Sequence, residues 1–425
     1  MAPTEKPRIL TAQRSQLEMR TFDLDSSLPE EHPARAIWAV VERLDLSRFY
    51  AEIKAREGTV GRPATDPKIL LALWLFATAD GVGSGRMLAR LCTTHDAYRW
   101  ICGGVPMNYH TLSDFRVEHG DKLDDLFVQV LAAMMKEGLV TLTTVAHDGM
   151  RVRADAGAAS FRREATLLEH QQTARAQVEK LRRELEEDPT AHARMQQAAR
   201  DRAARERAAA IDRALAEMPA VAEVKRRTRA KNRKGKKVSE PRVSTTDPEA
   251  RVMKMPDGGY RPAYNVQLAT DVESRVIVGV SVTNRGSDAG EINPMLDDIL
   301  RRTQCTPGAY LVDGGFAALA DIIEATRRGV TVYAPPIRPG RPRSPHVQHR
   351  TDAPEIAQWR SRMDRADSRQ LYKCRAATAE TTNADLRRWR TLDRFAVRGL
   401  AKVRCQALWN GLAYNLSRWR HLASA

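Results

Sequence analysis

Asp148, Asp313 and Glu380 are the residues whose types and surroundings best suit chemistry, and the chemistry they suit is metal-dependent attack on a phosphodiester bond. Asp148 closes the apolar run Leu142 to Ala146 and precedes Gly149, while Asp313 closes Ala309-Tyr310-Leu311-Val312 and precedes Gly314-Gly315. Both are therefore expected at strand ends. Glu380 is expected on a helix, with Lys373 and Arg387 seven residues before and after it and near the same face. Two-metal cleavage needs carboxylates that hold two divalent ions roughly 3.5–4 Å apart, one activating water or a 3′-hydroxyl and one stabilising the leaving oxygen. Mg²⁺ prefers hard oxygen donors and keeps several waters, so three acids from distant positions suffice. In such a site Lys373 and Arg387 would hold the scissile or neighbouring phosphates. The competing interpretation is a set of surface ion pairs, which helices carry routinely.

The rest of the composition favours a polyanionic partner. The chain has 425 residues, 69 basic and 53 acidic, for a net charge of +16. Cations that neutralise phosphates release condensed counterions, so DNA or RNA is the first candidate. Five cysteines, at 92, 102, 305, 374 and 405, form no C-x-x-C pair, which argues against a disulfide framework or a cysteine zinc site and for a reduced, cytoplasmic protein. The longest apolar run, Ile69 to Ala77, is too short to span a bilayer.

Several elements must position these acids. Residues up to about 135 are expected to be helical, with starts at Asp66-Pro67, Ser84 and Asn108 or His110, the last carrying Leu112, Phe115 and Arg116. Strands are expected from Thr143 toward Asp148, over Tyr264 to Asp271 and over Arg275 to Thr283, the last two forming a hairpin through Asp271-Val-Glu-Ser. Helices are expected over Asp288 to Arg301 and Phe316 to Arg328, with Asp313 on a strand between them. A mixed sheet flanked by helices is an α/β arrangement compatible with an RNase H-like core. An Ala-, Arg- and Glu-rich insertion, Arg163 to Met218, has the pattern of a helical hairpin broken at Asp188-Pro189. The run Lys225 to Lys237, with Arg226, Arg227, Arg229, Lys231, Arg233, Lys234, Lys236 and Lys237, is expected to be a flexible basic loop, either in contact with DNA or a solvated linker.

Several motifs carry a resemblance. His147-Asp-Gly-Met-Arg-Val-Arg-Ala, Val243-Ser-Thr-Thr-Asp-Pro-Glu-Ala-Arg with Tyr264-Asn-Val-Gln, and Leu311-Val-Asp-Gly-Gly-Phe resemble the first-aspartate, central-strand and second-aspartate motifs of DDE-type transposases of bacterial insertion sequences. Gly61-Arg-Pro and Leu70-Leu-Ala-Leu-Trp resemble the N-terminal helical domain of that group, and Tyr372, Arg375, Glu380 and Arg387 its C-terminal signature. Met150 stands where the family usually has Thr, an Ala precedes Glu380 where Val or Ile is common, and Arg387 replaces the usual Lys. The resemblance implies a helical DNA-binding or dimerisation domain over 1–135 and an RNase H-like catalytic domain over 136–425, interrupted at 160–240 by the helical and basic insertion. It implies that Asp148, Asp313 and Glu380 bind two Mg²⁺ ions per active site, Mn²⁺ substituting. Tyr372, Lys373, Arg375, Arg387, Arg116 and the basic run are expected to contact DNA, and the resemblance further implies that a homodimer or larger assembly holds double-stranded terminal inverted repeats and target DNA. Two other functions stay open: an element-derived DNA-binding protein without catalysis, and a stand-alone metal-dependent nuclease.

Other candidates are weaker. His346-Val-Gln-His349 has metal-ligand spacing but sits among Pro and Arg, where no helix is expected. Asp288, Glu291 and Asp155 suit auxiliary ligands less than capping or surface roles, and Trp389, Trp409 and Trp419 are expected in the core rather than as base-stacking platforms.

Overall fold

The computed structural model describes residues 23–423 except 57, 59–61, 188–190, 232–237 and 337–343, and leaves the side chains of 185–197 and 231 undescribed. Seven helices come first: α1 (Pro33–Arg43), α2 (Ser47–Ala51), α3 (Pro67–Ala79), α4 (Gly85–Thr94), α5 (Asp96–Cys102), α6 (Tyr109–Glu118) and α7 (Gly120–Lys136). Their starts follow from capping. Asp66, Ser84 and Asn108 accept hydrogen bonds from the N–H groups of Lys68, Met87 and His110, which the first turn of each helix leaves unpaired. Helix α3 is apolar on every side and buried from Ile69 to Thr78, so the other helices pack around it.

Next come β1 (Thr144–Arg153), a two-residue β2 (Phe161–Arg162), the long helices α8 (Glu164–Glu187) and α9 (Ala191–Lys231), and β3 (Val243–Ser244). Helices α8 and α9 pack along each other around a small separate core that includes Leu167, Ile211, Ala214 and Met218, as the hairpin pattern predicts. The expected basic loop is partly corrected. Helix α9 runs on through Lys231, because Glu223 pairs with Arg226 and Arg227, both at 2.6 Å, along the same helix face. Arg233, Lys234, Lys236 and Lys237 lie outside the described residues.

The main sheet is completed by β4 (Arg251–Lys254), β5 (Tyr260–Asp271), β6 (Ile277–Thr283), β7 (Ala309–Leu311) and β8 (Thr331–Tyr333). Its order is β6-β5-β1-β7-β8, with β4 following β6 along the same edge of β5. Strand β5 is antiparallel to β1 and β6, whereas β1, β7 and β8 are parallel. This mixed sheet flanked by helices is compatible with an RNase H-like domain. The expected β5–β6 hairpin is present, but the helix expected from Asp288 begins at Ile292 as α10 (Ile292–Thr303), and α11 spans Leu319–Arg327. The difference arises because Asp288 is held by a buried side-chain network instead of entering a helix.

Helices α12 (Pro354–Asp364), α13 (Ala366–Arg375), α14 (Thr381–Arg388) and α15 (Leu400–Ala423) close the chain, with a π turn at Ala376–Glu380 joining α13 to α14. Helix α15 is the central strut. It packs on α3, α6 and α7 on one side and on β6 on the other, so one continuous core joins the N-terminal helices to the sheet. Gly411 permits this approach, since a Cβ there would lie 2.8 Å from the Phe127 ring of α7. Trp409 is buried as expected and donates to the Arg116 carbonyl, but Trp389 is 60% exposed, because α14 ends there and turns it outward. The Val243 to Arg251 motif is only partly strand: Asp247 and Glu249 instead accept from the N–H groups of Gly399 and Leu400 and cap α15.

Candidate active site

Asp148 does not end its strand. It sits in the middle of β1, opposite Leu268 of β5, because the alternation of buried Met150 and Val152 with more exposed Arg151 and Arg153 carries the strand on to Arg153. On the other side β1 pairs with β7 through Thr144–Ala309, Val145–Tyr310 and Ala146–Leu311. Continuing that parallel register by two residues sets Asp313 beside Asp148, on the same face by strand alternation. Asp313 lies just beyond β7 rather than on it, and its carboxylate accepts from Gly315 N–H at 2.7 Å.

The third acid comes from above this face. Ala146, Leu311 and Ala379 share a small apolar cluster that seats the π turn on the sheet. Asp148 Oδ2 accepts from Asn383 Nδ2 at 2.9 Å, and its Oδ1 accepts from Gly149 N–H at 3.0 Å. Arg375 lies between the acids, 3.8 Å from Asp148 Oδ1 and 3.5 Å from Glu380 Oε1. Residues five apart on an α-helix point roughly 140° away from each other. The i→i+5 pairing of a π turn brings them back to one side, which lets Arg375 and Glu380 meet. The same extra residue breaks the expected face. Lys373 is exposed and donates to Gln370 Oε1 at 3.2 Å, whereas Arg387 turns inward and donates to the Arg151 carbonyl at 3.2 Å.

Burial raises the Asp148 carboxyl to about 6; the Arg375 guanidinium opposes the rise and the neighbouring Asp313 adds to it. Burial lowers Arg387, while the charge of Asp148 works the other way. Burial also raises Tyr372, whose ring lies 6.0 Å from the Arg375 guanidinium.

Among the described residues no group of three His, Cys, Asp or Glu side chains is gathered closely enough to hold a metal. The donor set nevertheless fits a divalent cation. Asp148 and Asp313 are adjacent hard oxygen donors whose mutual repulsion raises Asp148, and Glu380, with its side chain 64% exposed, is within reach of the same Arg375.

Other expected site residues lie elsewhere. Arg116, expected at DNA, is buried: it donates to the Gly83 carbonyl and its guanidinium lies 4.9 Å from the Trp74 ring centroid, packing α6 onto α3. Asp155 is paired with Arg394 and Arg398, both at 2.9 Å. Glu291 is buried against Arg285 at 3.0 Å. Asp288 is on the reverse face of the sheet, where it accepts from Arg151 at 2.7 Å. Arg226, Arg227 and Arg229 are exposed on α9. Asn383 was missed, although its place three residues after Glu380 is a helix-face signal.

Two families match the chain: one described as Transposase DDE domain over residues 241–416, and one described as Transposase domain (DUF772) over residues 22–118. Both describe transposase domains, and together they are consistent with a DDE-type insertion-sequence transposase. Asp313 and Glu380 fall inside the DDE match and Asp148 precedes it. No curated protein and no solved structure matches the chain. Among the described residues no helix is long and apolar enough to cross a membrane.

Proposed function

We propose that this transposase binds the terminal inverted repeats of its element, cuts DNA at the element ends and joins the freed 3′-hydroxyl ends to target DNA, with Asp148, Asp313 and Glu380 as the catalytic metal ligands. The observation that carries this reading is the adjacency of Asp148 and Asp313 across β1 and β7, with Arg375 linking Asp148 to Glu380. Two divalent ions, Mg²⁺ or Mn²⁺, would supply activation of the attacking oxygen and stabilisation of the leaving one.

The protein's own groups prepare that chemistry. Asp148 would hold a metal as its deprotonated carboxylate, Asn383 fixes its second oxygen, and Arg375 balances the charge of Asp148 and Glu380. Arg387, one helical turn beyond Asn383, is a candidate for the phosphate beside the scissile bond, with Tyr372 and Lys373 on the flanking backbone. In cleavage, water forms a bond to phosphorus and the bond to the 3′-oxygen breaks, leaving a 3′-hydroxyl and a 5′-phosphate. In joining, that 3′-oxygen attacks a target phosphorus and displaces the target's own 3′-oxygen. The number of phosphodiester bonds is conserved in joining, and no covalent enzyme intermediate is needed.

We assign residues 1–135 to DNA binding or dimerisation and residues 136–425 to catalysis, with the 160–240 insertion contributing cations to the DNA, in an assembly of at least two chains acting in the cytoplasm on chromosomal or plasmid DNA. The test is cleavage and strand transfer on DNA carrying the element's own ends, comparing the wild type with Asp313→Asn. Cleavage and joining by the wild type, both lost in the variant, are expected. Cleavage without joining would make the protein a nuclease, and end binding without either reaction would make it a binding protein.

A further inference from the structure

The main-chain ladder between β1 and β7 ends at the Ala146–Leu311 pair, before it reaches Asp148 and Asp313. Beyond that pair another interaction must fix the separation of two carboxylates that repel each other. The reverse face of the sheet supplies one. Alternation turns His147, Gly149 and Arg151 away from the face that carries Asp148. The His147 ring is fully buried, with its centroid 4.6 Å from the Phe316 ring and 5.7 Å from the Tyr310 ring. Tyr310 and Phe316 lie three residues before and three after Asp313. The residue preceding one aspartate is thus wedged between the two aromatic residues that bracket the other.

A second contact pins the residue after Asp148. Asp288 Oδ1 accepts from Asn265 Nδ2 at 2.7 Å and Gln267 Nε2 at 2.9 Å, and Oδ2 accepts from Arg151 Nη2 at 2.7 Å. This network presses on Gly149, where a Cβ would lie 2.2 Å from Asp288 Oδ1 and 2.7 Å from Gln267 Nε2. The strand is therefore held on both sides of Asp148 by buried side chains that do not reach the catalytic face.

We propose that His147, with Phe316 and the Asp288 network, is a rear clamp that sets the spacing of Asp148 and Asp313, and that His147 and Phe316 are positioning residues for the metal-binding carboxylates. This rests on the assignment of those two aspartates as ligands. A clamp differs from ordinary core packing because its loss alters metal affinity more than DNA affinity. Outer partners of metal ligands carry roughly 10–100-fold of metal affinity when they orient those ligands.

The experiment measures Mn²⁺ binding to the full chain from the electron paramagnetic resonance signal of free Mn²⁺, with binding to element-end DNA and the thermal melt recorded alongside. The variants are His147→Ala, His147→Phe, Phe316→Leu and Asp313→Asn. Phe316→Leu keeps an apolar side chain and removes only the ring, so it carries the test if His147→Ala does not fold. Expected are at least about tenfold weaker Mn²⁺ binding in His147→Ala and Phe316→Leu, unchanged DNA affinity, and recovery to within about threefold of wild type in His147→Phe. Wild-type Mn²⁺ affinity in Phe316→Leu, while Asp313→Asn has lost binding, would overturn the clamp and leave the ligand assignment intact. Wild-type affinity in Asp313→Asn would overturn both.

Discussion

At the scale of the residue, the candidate site holds charge under strain. Asp148 is largely buried and its carboxyl is raised from 3.8 to about 6, chiefly by loss of water. A carboxyl with a higher pKa in the folded state favours folding while protonated. Its contribution is fully present below the unfolded value near 3.8 and is lost as pH rises through about 6. In metal-free protein, Asp148→Asn should therefore be more stable than the wild type at pH 8, by up to about 3 kcal/mol, and no more stable at pH 3.5. Urea unfolding at the two pH values measures this, and an equal difference at both would refute it. His147 shows the opposite effect of burial, which lowers it to about 4 and keeps its ring neutral at the pH of the cell. The neighbouring positions of Asp148 and Asp313 follow from strands that were legible in the sequence. The partners of Asp148 were not, since Asn383 and Arg375 reach it only through folding.

At the scale of the element, the π turn at Ala376–Glu380 decides which side chains meet. Helix α14 is anchored below by buried Leu386 and by Thr382, whose hydroxyl is 3.3 Å from Tyr414 Oη. Removing one residue from the turn would hold α14 in place and rotate α13 by roughly 100°. Deletion of exposed Ala377 should then leave the helical circular dichroism intact and lower DNA cleavage at least about 100-fold, because Arg375 and Tyr372 swing away from Asp148. Cleavage at the wild-type rate would mean that the turn is incidental. A period of seven residues places Lys373, Glu380 and Arg387 together only on an uninterrupted helix. The inserted residue is why Lys373 is off the face from which Arg387 reaches the Arg151 carbonyl.

At the scale of the whole molecule, the N-terminal helices and the sheet are one packed body. Arg302 of α10 has a side chain with no exposure, its guanidinium is 4.7 Å from the Phe127 ring centroid, and it pairs with Asp124 of α7 at 2.6 Å. Arg301 pairs with the same carboxylate at 2.7 Å. Asp298 also pairs with Arg302, at 2.8 Å, so Asp124→Ala removes one of two carboxylates from a buried cation and should cost about 1.5–3 kcal/mol. With α15 shared by both parts, that loss should lower the melting temperature in a single transition. A separate early transition of the N-terminal helices in calorimetry would show that the two parts are only loosely joined.

The sequence by itself determined local matters: where helices begin at Asp66, Ser84 and Asn108, which stretches alternate as strands, that α8 and α9 form a hairpin, and which acids have chemistry open to them. Capping, periodicity and residue type act over a few residues, so they can be read along the chain. Only the tertiary structure decided that Arg116 is buried and Trp389 exposed, that Asp288 faces away from Asp148, and that Arg375 stands between two of the acids. Those outcomes depend on which side of a strand faces which helix and on one extra residue in a turn, and packing between separate elements sets which of these arrangements forms.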